Sequence, residues 1–141
     1  MLWLEPNADA RSLEVLEALD EVALPTGSRR VQHLSRDVFA SAMRHCAVME
    51  GNSLAGIIEA ATLGTPVVNV GDRKRLRECN AGVVDVTPDF GDISVALLAA
   101  LSRSRGPCEN IYGDGRASER IVQHLTCLSV DPFLIEKYNA Y

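Results

Sequence analysis

Short apolar runs alternate along most of the chain with stretches in which apolar residues recur every three or four positions. Leu2, Trp3 and Leu4 predict a first strand, ended by Pro6. Asn7 or Asp9 can cap a helix that carries Leu13, Leu16 and Leu19 on one face and stops before Pro25. Thr26-Gly27-Ser28 reads as a loop and residues 31–34 as a second strand. Ser35 then caps a helix whose Val38, Phe39, Ala42, Met43 and Cys46 share one buried stripe. Residues 47–50 form a third short strand, and Gly51-Asn52-Ser53 is a turn.

The same rhythm continues. Residues 54–63 predict a helix stopped by Gly64, followed by Pro66-Val67-Val68-Asn69-Val70, a β-branched run suited to a strand covered on both faces. After a polar, irregular stretch, residues 83–86 form another strand and residues 93–101 an apolar helix. Residues 104–115 read as a loop, and residues 117–128 as a helix with Ile121, Val122, Leu125 and Leu128 facing inward. Residues 131–141 leave room for one more short helix after Pro132. Such alternation predicts an α/β fold, a Rossmann-like parallel sheet with helices on both faces. At 141 residues, a single domain over residues 1–141 is expected.

Composition narrows the partners. With 47% apolar and 23% charged residues the chain has the makeup of a folded domain. Its net charge of −5 supplies no basic patch for a nucleic-acid backbone, so nucleic acid is set aside. No run approaches the ~20 apolar residues of a membrane helix, and Met1-Leu2-Trp3-Leu4-Glu5-Pro6 lacks the pattern of a secretory leader. Cys46, Cys79, Cys108 and Cys127 lie far apart, as do His33, His45 and His124, which gives no metal signature and no disulfide framework. Reduced thiols in a cytoplasm, with no metal and no cofactor, are the expectation.

One strand-to-helix junction carries candidate chemistry. In open α/β sheets ligands bind beyond the carboxyl ends of strands, where loops enter helix N-termini. At Gly51-Asn52-Ser53-Leu54-Ala55-Gly56, the two glycines allow close backbone approach, the first turn offers free N–H donors, and Ser53 can cap the helix or donate to a phosphate oxygen. Glu59, roughly 9 Å further along the axis at 1.5 Å per residue, can accept bonds from the hydroxyls of a ribose beside a bound diphosphate. The spacing alone leaves a second reading open, in which the turn is only a turn with its N-cap and Glu59 is a solvated carboxylate.

Longer motifs add to this. Gly51-Asn52-Ser53-x-x-Gly56-Ile57-Ile58-Glu59-Ala60 and Leu63-Gly64-Thr65-Pro66-Val67-Val68-Asn69-Val70-Gly71-Asp72-Arg73 together resemble the signature of the UDP-N-acetylglucosamine 2-epimerase family. Arg77-Glu78 falls where that family has a second Arg-Glu. Ile111-Tyr112-Gly113-Asp114-Gly115-x-Ala117-Ser118-x-Arg120-Ile121 is similar to its closing Tyr-Gly-Asp-Gly motif, and Pro6-Asn7-Ala8-Asp9-Ala10-x-Ser12 to its Asn-x-Asp-Ala-Gly-Ser. The form is closer to the hydrolysing branch, which releases N-acetylmannosamine and UDP. The resemblance implies the C-terminal, UDP-binding half of a two-domain fold of the GT-B type.

By position, the resemblance assigns Ser53 to the diphosphate through hydroxyl and backbone, and Leu54 and Ala55 through backbone N–H. Glu59 would hold the uridine ribose, Arg73 the phosphate or its loop, and Leu34 the uracil through its backbone, with Arg77 in the second Arg-Glu. Leu54 and Ala55 stand where that branch usually has serines, and Arg11 where it has glycine. A lost hydroxyl contact costs about 1 kcal/mol, so weak nucleotide binding is expected. The family's acid/base carboxylates and histidine belong to its N-terminal domain, to which nothing here corresponds. The expectation is therefore a chain that binds UDP or UDP-N-acetylglucosamine and is inactive without a separate N-terminal catalytic domain or subunit. Two alternatives are a subunit of a split glycosyltransferase and a non-catalytic domain that has lost its ligand.

Overall fold

Every strand pair among the described residues is parallel, as the alternation requires. The computed structural model describes residues 1–8, 12–72, 77–106, 108–130 and 136. Two compact units emerge, Met1–Ala47 and Val48–Tyr141, and each is described by itself.

In the first unit, β1 (Leu2–Leu4) leads through α1 (Ser12–Glu21) to β2 (Arg29–Val31), and the strands pair with Leu2 beside Arg29 and Leu4 beside Val31. The second strand thus begins two residues before the expected 31–34 and ends three earlier. Its two arginines look like loop in the sequence. Arg30, however, donates from Nε to Glu5 (2.9 Å) and from Nη1 to Asp20 (2.5 Å), so its charge is matched by the residue after β1 and by α1. α2 (Arg36–His45) starts after Ser35, whose hydroxyl makes no cap bond. Met43 is buried, but Val38 is 52% exposed, so the expected stripe is only partly covered. Asp9 as a helix cap lies outside the described residues.

In the second unit, β3 (Met49–Gly51), α3 (Leu54–Ile58), α4 (Ala60–Leu63), β4 (Val67–Val70), β5 (Val83–Val86), α5 (Phe90–Ser102) and α6 (Ala117–Cys127) follow in order. The sheet order is β3-β4-β5. β4 is central, which is why Val67, Val68 and Asn69 are all buried. Side chains alternate across the sheet. On one face Val68, Val70 and Val86 pack with Val48 against Ala96, Leu97 and Ala100 of α5. On the other face Val67 meets α3 at Gly56. Each fully buried valine contributes about 1.5–3 kcal/mol. Along β4, Asn69 donates from Nδ2 to Asp85 of β5 (2.7 Å), while its own buried Oδ1 has no partner.

Two element ends follow directly from local chemistry. Gly64 takes φ 68°, ψ 30°, its N–H reaching Ala61 O and the Thr65 N–H reaching Ala60 O, a Schellman stop for α4. α5 begins three residues before the expected 93, because the Asp89 carboxylate accepts from the N–H groups of Gly91 (2.8 Å) and Asp92 (3.2 Å).

α6 corrects an expectation. Its span is close to the predicted 117–128, but Ile121 (57%), Val122 (59%) and Leu125 (65%) are exposed, not inward. Helical periodicity identifies an apolar face without saying what covers it. The short helix expected in the tail falls largely outside the described residues.

Candidate functional site

Because β3, β4 and β5 are parallel, the segments leaving their carboxyl ends (51–53, 71–72 and 87–89) start from one edge of the sheet. At the first of these, Gly51 has φ 136°, a conformation in which a side chain is strained. The chain then turns through Asn52 to Ser53, extended at φ −70°, ψ 138°, whose hydroxyl makes no cap bond. Ser53 is exposed, Leu54 and Ala55 are half-buried, and the first turn of α3 has no acidic residue. The other helix starting at this edge, α5, differs: Asp89 already caps it, and Asp92 adds a second carboxylate to its first turn. An anion would meet repulsion at α5 and open N–H donors at α3.

Gly56 has a different role from the one its motif suggests. A Cβ built there would lie 3.0 Å from Val67 Cγ1 and 3.6 Å from Met49 Sδ. The missing side chain makes room for the sheet, so the glycine brings helix and strand together and does not open the backbone to a ligand.

Glu59 sits at a break in the helix, between the end of α3 at Ile58 and the start of α4 at Ala60. It is half-buried, with φ −100° and ψ −31°. In an unbroken helix the carbonyls of Ile57 and Ile58 accept from the N–H groups four residues on. At this break both accept from side-chain amides: Asn80 Nδ2 donates to Ile57 O (2.8 Å) and Asn110 Nδ2 to Ile58 O (2.6 Å). Asn80 Nδ2 also donates to Asn110 Oδ1 (3.2 Å), Asn110 Nδ2 to Thr62 Oγ1 (2.9 Å), and Asn80 Oδ1 accepts from the Ile111 N–H (2.9 Å). Asn80 is buried, at 2% exposure. Neither asparagine stood out in the sequence, though Asn110 directly precedes Ile111 of the closing motif.

The Tyr-Gly-Asp-Gly motif behaves as its residue types suggest. Gly113 and Gly115 have φ of 133° and 82°. Asp114 Oδ1 accepts from the Arg116 N–H (3.1 Å), and the two Asp114 oxygens take Arg120 Nη1 (2.9 Å) and Nη2 (2.6 Å). Hydrogen bonding to Arg120, and next to the Arg116 N–H, holds the Asp114 carboxyl below the usual carboxylate range. The Tyr112 hydroxyl donates to Glu78 O, which ties this loop to the Arg77-Glu78 segment.

Arg77 is exposed, and Arg73 lies outside the described residues. Leu34 is half-buried after β2 and belongs to the first unit. Among the described residues no group of three or more His, Cys, Asp or Glu side chains is arranged to hold a metal ion, and no helix is long and apolar enough to cross a membrane.

A family model described as UDP-N-acetylglucosamine 2-epimerase matches residues 1–126. The chain belongs to the UDP-N-acetylglucosamine 2-epimerase family. One epimerase relative, the hydrolysing UDP-N,N'-diacetylbacillosamine 2-epimerase of Legionella pneumophila, is 38% identical over the whole of this chain and 37% of its own length. A second, the UDP-N-acetylglucosamine 2-epimerase of Neisseria meningitidis serogroup B, is 25% identical over 84% of this chain and 32% of its own. The chain therefore spans about a third of the length of these relatives. The crystal structure of the Methanocaldococcus jannaschii UDP-GlcNAc 2-epimerase, in complex with UDP-GlcNAc and UDP, aligns with a TM-score of 0.66 and 19% identity. That alignment covers 82% of this chain and 32% of that chain, and shows a shared α/β fold.

Proposed function

We propose that this chain is the UDP-binding part of a hydrolysing nucleotide-sugar 2-epimerase, and that alone it binds the nucleotide without turning it over. The observation that carries the reading is the contrast between two helix starts at one sheet edge. α3 offers an unspent Ser53 hydroxyl and no acidic side chain, whereas α5 is closed by Asp89. In this reading the diphosphate sits on Ser53 and the N–H groups of Leu54 and Ala55, Glu59 accepts from the ribose hydroxyls, and Arg73 and Arg77 add positive charge. The relatives' names support an N-acetylated amino sugar as the second half of the substrate, the feature common to N-acetylglucosamine and N,N'-diacetylbacillosamine. Epimerisation with hydrolysis needs a base at C2 and an acid at the leaving phosphate. The residues of this reading hold the nucleotide and supply neither.

Calorimetric titration of the 141-residue chain with UDP tests the reading. The expected result is binding that weakens about tenfold or more in Glu59→Ala, the loss of charged hydrogen bonds to ribose. No heat at millimolar UDP, or release of N-acetylmannosamine from UDP-N-acetylglucosamine by the chain alone, overturns it.

A further inference from the structure

The helix break under Glu59 is held from outside the helix. A helix's hydrogen-bond ladder is interrupted at proline, at glycine-serine pairs, at π-bulges, or where a side chain enters it; Glu59 itself keeps helical backbone, with its N–H on Ala55 O (2.8 Å). Residues 54–63 contain no proline, and the only glycine, Gly56, lies inside α3 and not at the break. What enters the ladder is a pair of amides, Asn80 at Ile57 O and Asn110 at Ile58 O, on the two carbonyls immediately before Glu59. The pair forms a closed network. Asn80 uses both its Oδ1 and its Nδ2, and Asn110 Oδ1 accepts from Asn80 Nδ2 and from the Tyr112 N–H (3.0 Å). Asn80 is buried and Asn110 half-buried, and with these bonds made neither amide has a cheaper arrangement to move to, so the two carbonyls are held firmly.

From this geometry we infer that Asn80 and Asn110 are positioning residues for Glu59: their amides fix the Ile57 and Ile58 carbonyls immediately before it, and with them the direction of its carboxylate toward the ribose. The inference rests on the proposed role of Glu59 and adds how that role is enforced. Ile57 O and Ile58 O belong to the two peptides that lead into Glu59, so releasing them lets those peptides turn and moves the carboxylate that follows. A carboxylate displaced by about 1 Å no longer reaches two hydroxyls at hydrogen-bond distance. The two asparagines come from segments 23 and 52 residues distant from the carbonyls they hold, so the position of Glu59 depends on the loops that precede β5 and α6.

The test compares dissociation constants for UDP and for 2′,3′-dideoxy-UDP in the full chain, in Glu59→Ala and in Asn110→Ala. Asn110→Asp serves as a near-isosteric second variant that loses the donors and keeps an acceptor for the Tyr112 N–H; thermal melting shows which variants are folded. The parent chain is expected to favour UDP over the dideoxy nucleotide about tenfold, a preference lost in Glu59→Ala. The Asn110 variants should lose the same preference while binding dideoxy-UDP within about twofold of the parent, and Glu59→Ala/Asn110→Ala should bind UDP no more weakly than Glu59→Ala. Retention of the preference in folded Asn110 variants, or equal weakening toward both nucleotides, overturns the inference and leaves the ribose role of Glu59 standing. Absence of the preference in the parent, or its persistence in Glu59→Ala, overturns that role and the inference with it.

Discussion

Gly56→Ala separates the packing role of this glycine from a ligand role. In an exposed helix the substitution stabilises by roughly 1 kcal/mol, because glycine loses more backbone freedom on folding. Here the new Cβ lands 3.0 Å from Val67 Cγ1, against an ordinary contact of 3.4–4 Å. Val67 has little room to give: it is 3% exposed, β-branched, and paired on one side with Met49 and on the other with Val83. Overpacking of this kind costs about 1–3 kcal/mol, which outweighs the propensity gain and leaves a net loss of roughly 1 kcal/mol. Urea unfolding should show a lower midpoint with an unchanged slope. In a Val67→Ala background the clash is gone, and the same glycine substitution should turn stabilising. UDP affinity should stay near that of the parent, since the side chain faces the sheet. A Gly56→Ala protein more stable than its parent, or no reversal of sign in the Val67→Ala background, would refute the packing argument.

Three further perturbations have defined outcomes. Asp114 has a folded pKa below its ordinary value, so its stabilising contribution is complete above that value and is lost as pH falls through the folded one; acidification below about pH 4 should loosen the first turn of α6. Amide chemical shifts in α6 report this, and an Asp114→Asn variant with the same acid step would contradict it. Cys79 is held protonated above its usual range, first by burial and second by the charge of Asp85, so at pH 8 it should alkylate more slowly than the exposed Cys108 and Cys127. Mass spectrometry of iodoacetamide-labelled peptides decides that order, and equal rates would count against it. Leu125 is 65% exposed, so Leu125→Gln should change stability by no more than about 0.5 kcal/mol; a larger loss in denaturant titration means that the α6 face is covered in solution.

The parts of the fold that were legible are those whose cause is local. Leu2–Leu4 and Val83–Val86 are β-branched or apolar runs bounded by turns, and Gly64 ends α4 through its own left-handed conformation. β2 was displaced because Arg29 and Arg30 suggest a loop until Glu5 and Asp20 are seen beside Arg30. The interruption at Glu59 has no signature in Leu54-Ala55-Gly56-Ile57-Ile58-Glu59-Ala60, because the amides on the Ile57 and Ile58 carbonyls come from asparagines remote in sequence. The turn at Gly51-Asn52-Ser53 was legible as a motif, yet the purpose of Gly56 was not. Only the position of Val67 on the facing strand shows that its missing side chain is occupied space.

β4 and β5 spell nearly the same word, Val-Val-Asn-Val and Val-Val-Asp-Val. A pair of all-valine strands would slide past one another with little change in contact, and a slip of one residue turns every side chain to the opposite face. The Asn69–Asp85 bond forms in a single alignment, with Val67 beside Val83 and Val70 beside Val86. The buried Asn69 Oδ1 without a partner is the cost of that lock, about 1–3 kcal/mol relative to an apolar side chain. Its return is uniqueness: Asn69→Val should raise the unfolding midpoint while admitting shifted pairings, a trade of a single structure for a more stable but less defined one.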